Sequence, residues 1–370
     1  MEIFRPYKFD KIMFFTGMIL IAGGFIMVFS TTGVLASEKH HQPFFYLVSQ
    51  ILGAFIGMTL IVAVLPRKKP FFKTPFFVYG LLSLSIFLLG LCLTMPPLAN
   101  TRRWVQFLGI RFQPSELVKI SLILFLAYYI DKKQERLNNL RVLIFPLAVI
   151  FTVVFLVILE PDYGTAILIM IICMFLLYLG GLQYRYFFIL GGVSIIFFAF
   201  YLFDAPYRIN RILAFLFPSR DPLGLGYHII QSKRAVGAGG IIGVSMGEST
   251  QKLFYLPCAH TDFIYAIIGE EIGFIGAFLT LCLFLIIFWR GLVISGRLSS
   301  SFFRLTALGL TLYIFFQALL NITIVLGLGP PTGIPLPLIS YGRSSLVCTL
   351  FGLGILLNIS QRREGSRRKG

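Results

Sequence analysis

Long apolar runs separated by short polar punctuation dominate this chain. About 20 consecutive apolar residues cross a hydrocarbon core as helix. Ten stretches of that kind occur, at 12–30, 45–65, 76–95, 114–130, 142–159, 164–181, 186–203, 263–289, 303–328 and 338–359. They are too long and too uniformly apolar for the two-residue alternation of a membrane barrel, and helices satisfy their own backbone in lipid. The pattern predicts an all-α integral membrane protein with ten transmembrane helices in one polytopic unit over 1–370. Val34-Leu35-Ala36 resembles a cleavage site, but the run before it is longer than a signal-peptide core, so an uncleaved helix is expected.

Most connections are short. The exception is 204–262, which predicts one large loop between the seventh and eighth spans, long enough to be functional. Within it, Arg208 to Leu216 places apolar residues on one side of a short helix with arginines opposite, an interfacial pattern ended by Pro218 and Pro222. Glycines 224, 226, 237, 239, 240, 243 and 247 make the rest read as a glycine-dense loop.

Composition agrees with the membrane reading. Of the 370 residues, 57% are hydrophobic and 13% charged, and the mean hydropathy is +0.88. The formal net charge of +17 points to orientation, because its distribution is lopsided. With the N-terminus in the cytoplasm, inner segments carry 20 basic residues, including the tail 361–370, and the short outer loops carry four. That imbalance predicts both termini inside, and it removes the case for nucleic acid. The basic tail is expected to contact anionic lipid. Four of the five cysteines lie in spans and Cys258 stands alone in a loop, so neither a disulfide framework nor a Cys/His metal site follows.

Ionisable residues inside spans are functional candidates by default. This topology sends Glu116, Lys119, Glu160, Asp162 and Asp262 to the outer end. Glu116 and Lys119, three apart, share a helix face and could be a self-neutralising pair or line a cavity. Glu160 and Asp162 could be no more than a solvated turn at Pro161. Glu270 and Glu271 lie eight and nine residues past Asp262, and are read as buried packing acids. Asp262, beside His260, is the leading catalytic candidate. Arg102, Arg103, Lys119, Lys233, Arg234 and Lys252 could hold a phosphate or diphosphate by charge-assisted bonds, and the glycine-dense loop could add backbone N–H groups. A carboxylate there could deprotonate a hydroxyl or hold a divalent cation. Such a site suits a substrate with a lipid tail and a polar head.

Several pieces carry a family resemblance: Arg102-Arg103-Trp104, Gln113-Pro114-Ser115-Glu116-Leu117-Val118-Lys119, and Pro161-Asp162-Tyr163-Gly164-Thr165. Gly224 to Gly226, Gln231-Ser232, Gln251-Lys252 and His260-Thr261-Asp262-Phe263 follow. Pro331 to Pro337 and Ile339-Ser340-Tyr341-Gly342 complete the set. Over essentially its whole length the chain resembles the SEDS family (shape, elongation, division and sporulation proteins, including RodA and FtsW). The resemblance implies an inverting peptidoglycan glycosyltransferase of the bacterial inner membrane. Such an enzyme extends a nascent glycan strand from lipid II, beside a class B penicillin-binding protein and other divisome or elongasome membrane proteins. It makes Asp262 the catalytic residue. The chemistry of the site adds the hypothesis that Asp262 shares a Mg²⁺ or Mn²⁺, and no organic cofactor is expected. The resemblance places Glu116, Lys119 and Asp162 along the polar cavity. Arg102, Arg103, Gln231, Ser232, Lys233, Lys252, Ser340 and Arg343 are expected, from their charge or polarity and their position, as further substrate contacts. Arg102-Arg103 before Trp104, and Phe44-Phe45-Tyr46, lean towards the division type.

Three positions depart from the family pattern. Arg343 replaces a usual glycine, and could snorkel to the surface or reach into the cavity. Cys258 stands where glutamate is common, and His228 where glutamine is. Two other function classes are carried alongside: a flippase for the lipid-linked precursor and a non-catalytic scaffold. Ionisable groups spread along the full span depth would favour the flippase.

Overall fold

A computed structural model describes residues 9–362, apart from 68, 98–100, 108–109, 204–205, 221–223 and 254. Its helices, in chain order, are α1 (Lys11–His40), α2 (Phe45–Val64), α3 (Pro75–Thr94), α4 (Pro114–Lys133), α5 (Leu140–Leu159), α6 (Tyr163–Leu179) and α7 (Tyr184–Phe203). Then follow α8 (Pro206–Leu216), α9 (Leu225–Gly239), α10 (Ile264–Glu271), α11 (Gly273–Gly296), α12 (Ser301–Val325) and α13 (Arg343–Ser360). Among the described residues, seven of them, α1, α2, α3, α5, α11, α12 and α13, are long and apolar enough to cross a membrane. The protein is an all-helical membrane protein. The connection between α3 and α4 adds a small antiparallel hairpin, β1 (Val105–Phe107) with β2 (Ile110–Phe112), which the hydrophobic pattern did not predict.

The central helices are α4, α12 and α13. Their side chains are buried on nearly every face, whereas α2, α3 and α5 bury one stripe and leave Phe55, Phe76, Phe87 and Phe151 exposed. A helix apolar all round belongs inside a bundle or against lipid. The two chain ends meet at one end of the bundle. Asp10 caps α1 by accepting from the Met13 N–H at 2.9 Å, pairs with Arg290 of α11, and its own N–H donates to Ser360 Oγ at 3.0 Å.

The structure corrects the sequence expectations in three places. The eighth span, expected as one run over 263–289, is two helices. Gly273 breaks it with φ of +72°, a conformation open to glycine at little cost. The broken backbone is satisfied by the segment after α9. The N–H groups of Val244 and Ser245 donate to the carbonyls of Glu270 and Glu271, and those of Phe274 and Ile275 donate to Gly240 and Ile241. This exchange explains the glycines. A Cβ on Gly239 would lie 1.9 Å from the Gly269 carbonyl oxygen, and one on Gly243 would lie 2.2 Å from that of Glu271. The glycine-dense loop is therefore a close-packing device, and the Val244 and Ser245 N–H groups are not available to an anion.

Second, the large loop is substantially helical, with α8 where the interfacial pattern lies and α9 (Leu225–Gly239) carrying Gln231, Ser232 and Lys233. Third, the last span begins at Arg343. The preceding segment, 331–342, is irregular chain driven into the bundle, with Ile334, Leu336, Leu338 and Ile339 all buried. It packs so close to α1 that a Cβ on Gly24 would lie 2.8 Å from Ile339 Cα.

Glu270 and Glu271 tie the 249–252 turn to the break. Glu270 accepts from Ser249 Oγ and from the Thr250 N–H at 3.1 Å. Glu271 accepts from Lys252 Nζ at 2.7 Å and from Ser30 Oγ of α1 at 2.6 Å. Removing one member of a buried ion pair leaves the other charge uncompensated, at a cost of about 3–5 kcal/mol. Lys252→Met should lower thermal stability in detergent by an amount in that range. Adding Glu271→Gln should restore most of it, and equal destabilisation in single and double variants would contradict the pairing.

Candidate active site

Three segments converge at the end of the bundle away from the chain termini. The turn 258–263 carries Asp262, the irregular segment 331–337 faces it, and the stretch before the hairpin supplies Arg103. They enclose a cavity of about 220 Å³ whose lining includes Asp262, Arg103, Arg211, His228, Cys258 and Thr332. Gly333 marks the meeting point. A Cβ placed on it would lie 3.6 Å from Arg103 Nη1 and 3.7 Å from Asp262 Oδ2, so carboxylate and guanidinium face the same small space.

Asp262 is fixed through its backbone. Asn321 of α12 donates from Nδ2 to the carbonyls of Asp262 (2.7 Å) and Ile334 (2.8 Å), clamping the two segments together. Ser340 Oγ donates to the Thr261 carbonyl at 2.6 Å, and the Tyr341 N–H donates to the His260 carbonyl at 3.0 Å. Its carboxylate is left to the cavity. Burial pushes the Asp262 carboxyl up to about 6, against the pull of the Arg103 guanidinium and with a smaller push from Asp162. Burial acts the other way on the His228 imidazole, which stacks on Phe263, and lowers it.

Arg103 is held by chain geometry at the end of α5. Its Nε donates to the Glu160 carbonyl at 3.2 Å and its Nη2 donates to that of Pro161, while Nη1 lies 4.0 Å from Asp162 Oδ1. Asp162 caps α6 by accepting from the Thr165 N–H at 3.3 Å and takes a second bond from Gln113 Nε2. Glu160 is not the solvated turn residue that its neighbour Pro161 suggested. Its carboxyl is fully buried, with neither oxygen hydrogen-bonded, and burial followed by the Asp162 charge pushes it up to about 9. It is a neutral acid at pH 7.

Other sequence candidates sit elsewhere. Glu116 and Lys119 form a buried pair at 2.9 Å and do not line this cavity. Lys119 Nζ also donates to Gln317 Oε1 at 2.7 Å and lies 4.8 Å from the centre of the Tyr313 ring. Gln317 in turn donates to the Pro335 carbonyl at 3.1 Å, so the pair reaches the irregular segment 331–337 through one intermediary. Arg102 turns away and donates to the Leu93 carbonyl at 2.9 Å. Ser232 Oγ is spent on the Val325 carbonyl at 2.6 Å. Gln231 is buried on α9, Lys233 lies against Gly327, and Lys252 is committed to Glu271. Arg343 opens α13 on the far side of the Asp262 turn.

Arg211, Gln317 and Asn321 escaped the sequence reading. The last two were detectable: Tyr313, Gln317 and Asn321 recur every four residues along an apolar span, which places three polar groups on one buried face. Among the described residues no three His, Cys, Asp or Glu side chains gather as a metal centre. The donor set fits only a cation brought in with oxygen ligands from elsewhere, since Mg²⁺ commonly takes one or two carboxylates plus substrate phosphates.

Comparison with known proteins agrees with this architecture. The chain is 37% identical over 370 residues to the probable peptidoglycan glycosyltransferase FtsW of Geobacter sp. (strain M18), covering 98% of this chain and 99% of that one. It is 37% identical over 357 residues to the stage V sporulation protein E of Bacillus subtilis, covering 95% and 97%. A solved structure on the coordination of polymerization and crosslinking by a peptidoglycan synthase complex contains a similar chain (TM-score 0.79, 27% identity, 97% and 99% covered). The rod shape determining protein RodA of Thermus thermophilus superposes with a TM-score of 0.70 at 25% identity, over 96% and 98% of the two chains. The model of the cell cycle protein family FtsW/RodA/SpoVE matches residues 10–365, and the chain belongs to that family.

Proposed function

We propose that this protein is a peptidoglycan glycosyltransferase that polymerises lipid II at the outer face of the bacterial inner membrane. The observation that carries the reading is one half-buried carboxylate, Asp262, sharing a small cavity with the guanidinium groups of Arg103 and Arg211 at the end of an apolar bundle. In this reading the more polar α4 and the apolar helices α6 and α7 join the seven other long helices to give ten crossings. The 20-to-four imbalance of basic residues then puts the chain termini inside and the cavity outside. The FtsW relatives support a role in division, and the synthase complex supports a crosslinking penicillin-binding protein as partner.

The chemistry follows from the charges. Asp262 takes the proton from the acceptor sugar hydroxyl. The hydroxyl oxygen bonds to the donor's anomeric carbon from the face opposite the leaving group, so the configuration inverts. The bond to the diphosphate breaks, and its electron pair leaves as anionic charge facing Arg103 and Arg211, fixed cations that need no reorganisation. A base pushed up to about 6 is largely ionised at pH 7, yet more basic than an ordinary aspartate, which suits general-base work. Any Mg²⁺ or Mn²⁺ would use Asp262 as protein ligand and the diphosphate oxygens for the rest, supplying positive charge at the leaving group.

Purified protein given lipid II in detergent should form glycan polymer. Asp262→Ala should cut the rate at least about 100-fold, the usual worth of a general base. No polymer from the wild type, with labelled lipid II scrambled across vesicles, would replace this reading with a flippase. Activity should fall on the acid side with a midpoint near 6, and Arg103→Ala should move that midpoint upward, because Arg103 holds the Asp262 carboxyl down. Chelation by EDTA, followed by re-addition of Mg²⁺ or Mn²⁺, tests the cation directly.

Stability should move the opposite way from activity. The folded carboxyl near 6 binds its proton more tightly than the unfolded one at 3.8. Wild-type stability therefore falls as pH rises between those values. Asp262→Asn cannot ionise, so at pH 7.5 it should be more stable than the wild type by at most about 3 kcal/mol. The difference should vanish near pH 4, as read by thermal unfolding in detergent.

A further inference from the structure

The Asp262 cavity is small for its proposed task. Pockets for drug-sized ligands occupy about 300–1,000 Å³, and a transfer between two lipid-linked saccharides has two large ligands to hold. A second cavity, of about 920 Å³, lies on the opposite side of the same turn, with His260, Tyr341, Tyr46, Arg111 and Arg343 in its lining. The two cavities share the 258–262 turn as a wall: Cys258 and Asp262 face the first and His260 faces the second.

Three features define what the second cavity would take. It has no Asp or Glu in its lining. The guanidinium groups of Arg111 and Arg343 have no ion-pair partner among the described residues, so its fixed charge is positive. Its polar groups sit beside rings. Tyr46 meets Tyr341 edge-on at 5.2 Å and His260 at 5.7 Å, and the Tyr341 hydroxyl lies 3.2 Å from Ser49 Oγ. Rings with adjacent hydroxyls suit the alternating apolar and hydroxyl-bearing faces of a sugar, and unpaired guanidinium forks suit phosphate or carboxylate. Val48 and Leu52 of α2 line the same cavity and continue along that helix into exposed Phe55, an apolar path suited to a lipid tail.

We infer that this cavity is a second substrate subsite for an anionic, lipid-linked saccharide, and that Arg343 and Arg111 bind its anion. The inference rests on the glycosyltransferase reading and deepens it: the two reacting sugars approach the shared turn from opposite sides. It gives Arg343 a task at a position where the family pattern has glycine, and it separates two anion sites, Arg103 with Arg211 on one side and Arg111 with Arg343 on the other.

The test is binding to Asp262→Ala protein in detergent, with lipid II as titrant. Two molecules of lipid II should bind per chain. Adding Arg343→Gly with Arg111→Ala should weaken one of the two events roughly tenfold or more, as expected for lost charge-assisted bonds. Arg103→Ala should weaken the other. Undecaprenyl diphosphate without sugar, and a soluble muramyl peptide without diphosphate, identify whether the anion is the diphosphate or the peptide carboxylates. A double variant that binds lipid II as the parent does overturns the subsite, and so does equal competition by phosphatidylglycerol vesicles. Polymer formation by the wild type is a separate readout. If polymer forms but Arg343 and Arg111 do not affect binding, only the subsite fails. If no polymer forms while the arginine-dependent binding persists, the functional reading fails and the subsite stands.

Discussion

A chain that leaves helical conformation at depth in a bundle must find new partners for every freed backbone group, because no water is there to supply them. This protein does so in the segment 331–342, and the active site depends on how the debt is met. Gln317 donates to the Pro335 carbonyl, Asn321 to that of Ile334, and Gln50 to that of Ser340 while accepting from the Gly342 N–H. Ser340 accepts from the Leu336 N–H. These side chains come from α2 and α12 and from the segment itself, so the irregular chain stitches non-adjacent helices together. Asn321 and Ser340 then extend the same bonding to the turn that carries Asp262. Placement of the Asp262 turn is thus a by-product of backbone satisfaction: the turn has nowhere else to sit once its carbonyls are bound.

That arrangement explains what was legible in the sequence. Hydropathy located α2, α3 and α5 to within a few residues, because bilayer thickness is a one-dimensional constraint and these helices read directly as apolar runs. Helix α1 starts where its run does but continues ten residues beyond it, to His40. Hydropathy failed where partners were non-local. The break at Gly273 lies inside a run apolar enough to pass as one helix, and what permits it is the exchange with Gly240 and Val244, some thirty residues earlier in sequence. The glycines of that exchange looked like an anion-binding nest because composition cannot distinguish a glycine that admits a ligand from one that admits a neighbouring backbone.

The site was partly legible for a related reason. Asp262, Arg103 and Asp162 were found as charges at one end of the spans, and the fold brings them together. Arg102, one residue from Arg103, points to the opposite side of an extended stretch, as the two-residue alternation of such chain requires. Glu116 and Lys119 were correctly placed on one face, but their nearest opposite charge is each other, which spends both before any cavity can use them. Arg211 went unrecognised because its interfacial pattern explained it already, as a solvated face of a short amphipathic helix.

The acids at the Asp262 end of the bundle and around the Gly273 break show why burial alone does not make a catalyst. Glu271 is as deeply buried as any of them and is held by a lysine and a serine, so its charge is saturated and its geometry fixed. Glu270 is saturated by a turn of chain. Glu160 has no partner at all, and at pH 7 it meets that isolation by keeping its proton, which removes it as a base. Asp262 falls between these cases. It is buried enough to be more basic than an ordinary aspartate, it lies near enough to Arg103 to ionise below pH 7, and it still faces the cavity, held by a Thr261 hydrogen bond and by neighbours that bind the backbone around it. A carboxylate that is ionised, open to a cavity and rigidly held is one that can accept a proton from a substrate, and among these acids the one on the turn at 258–263 meets all three conditions.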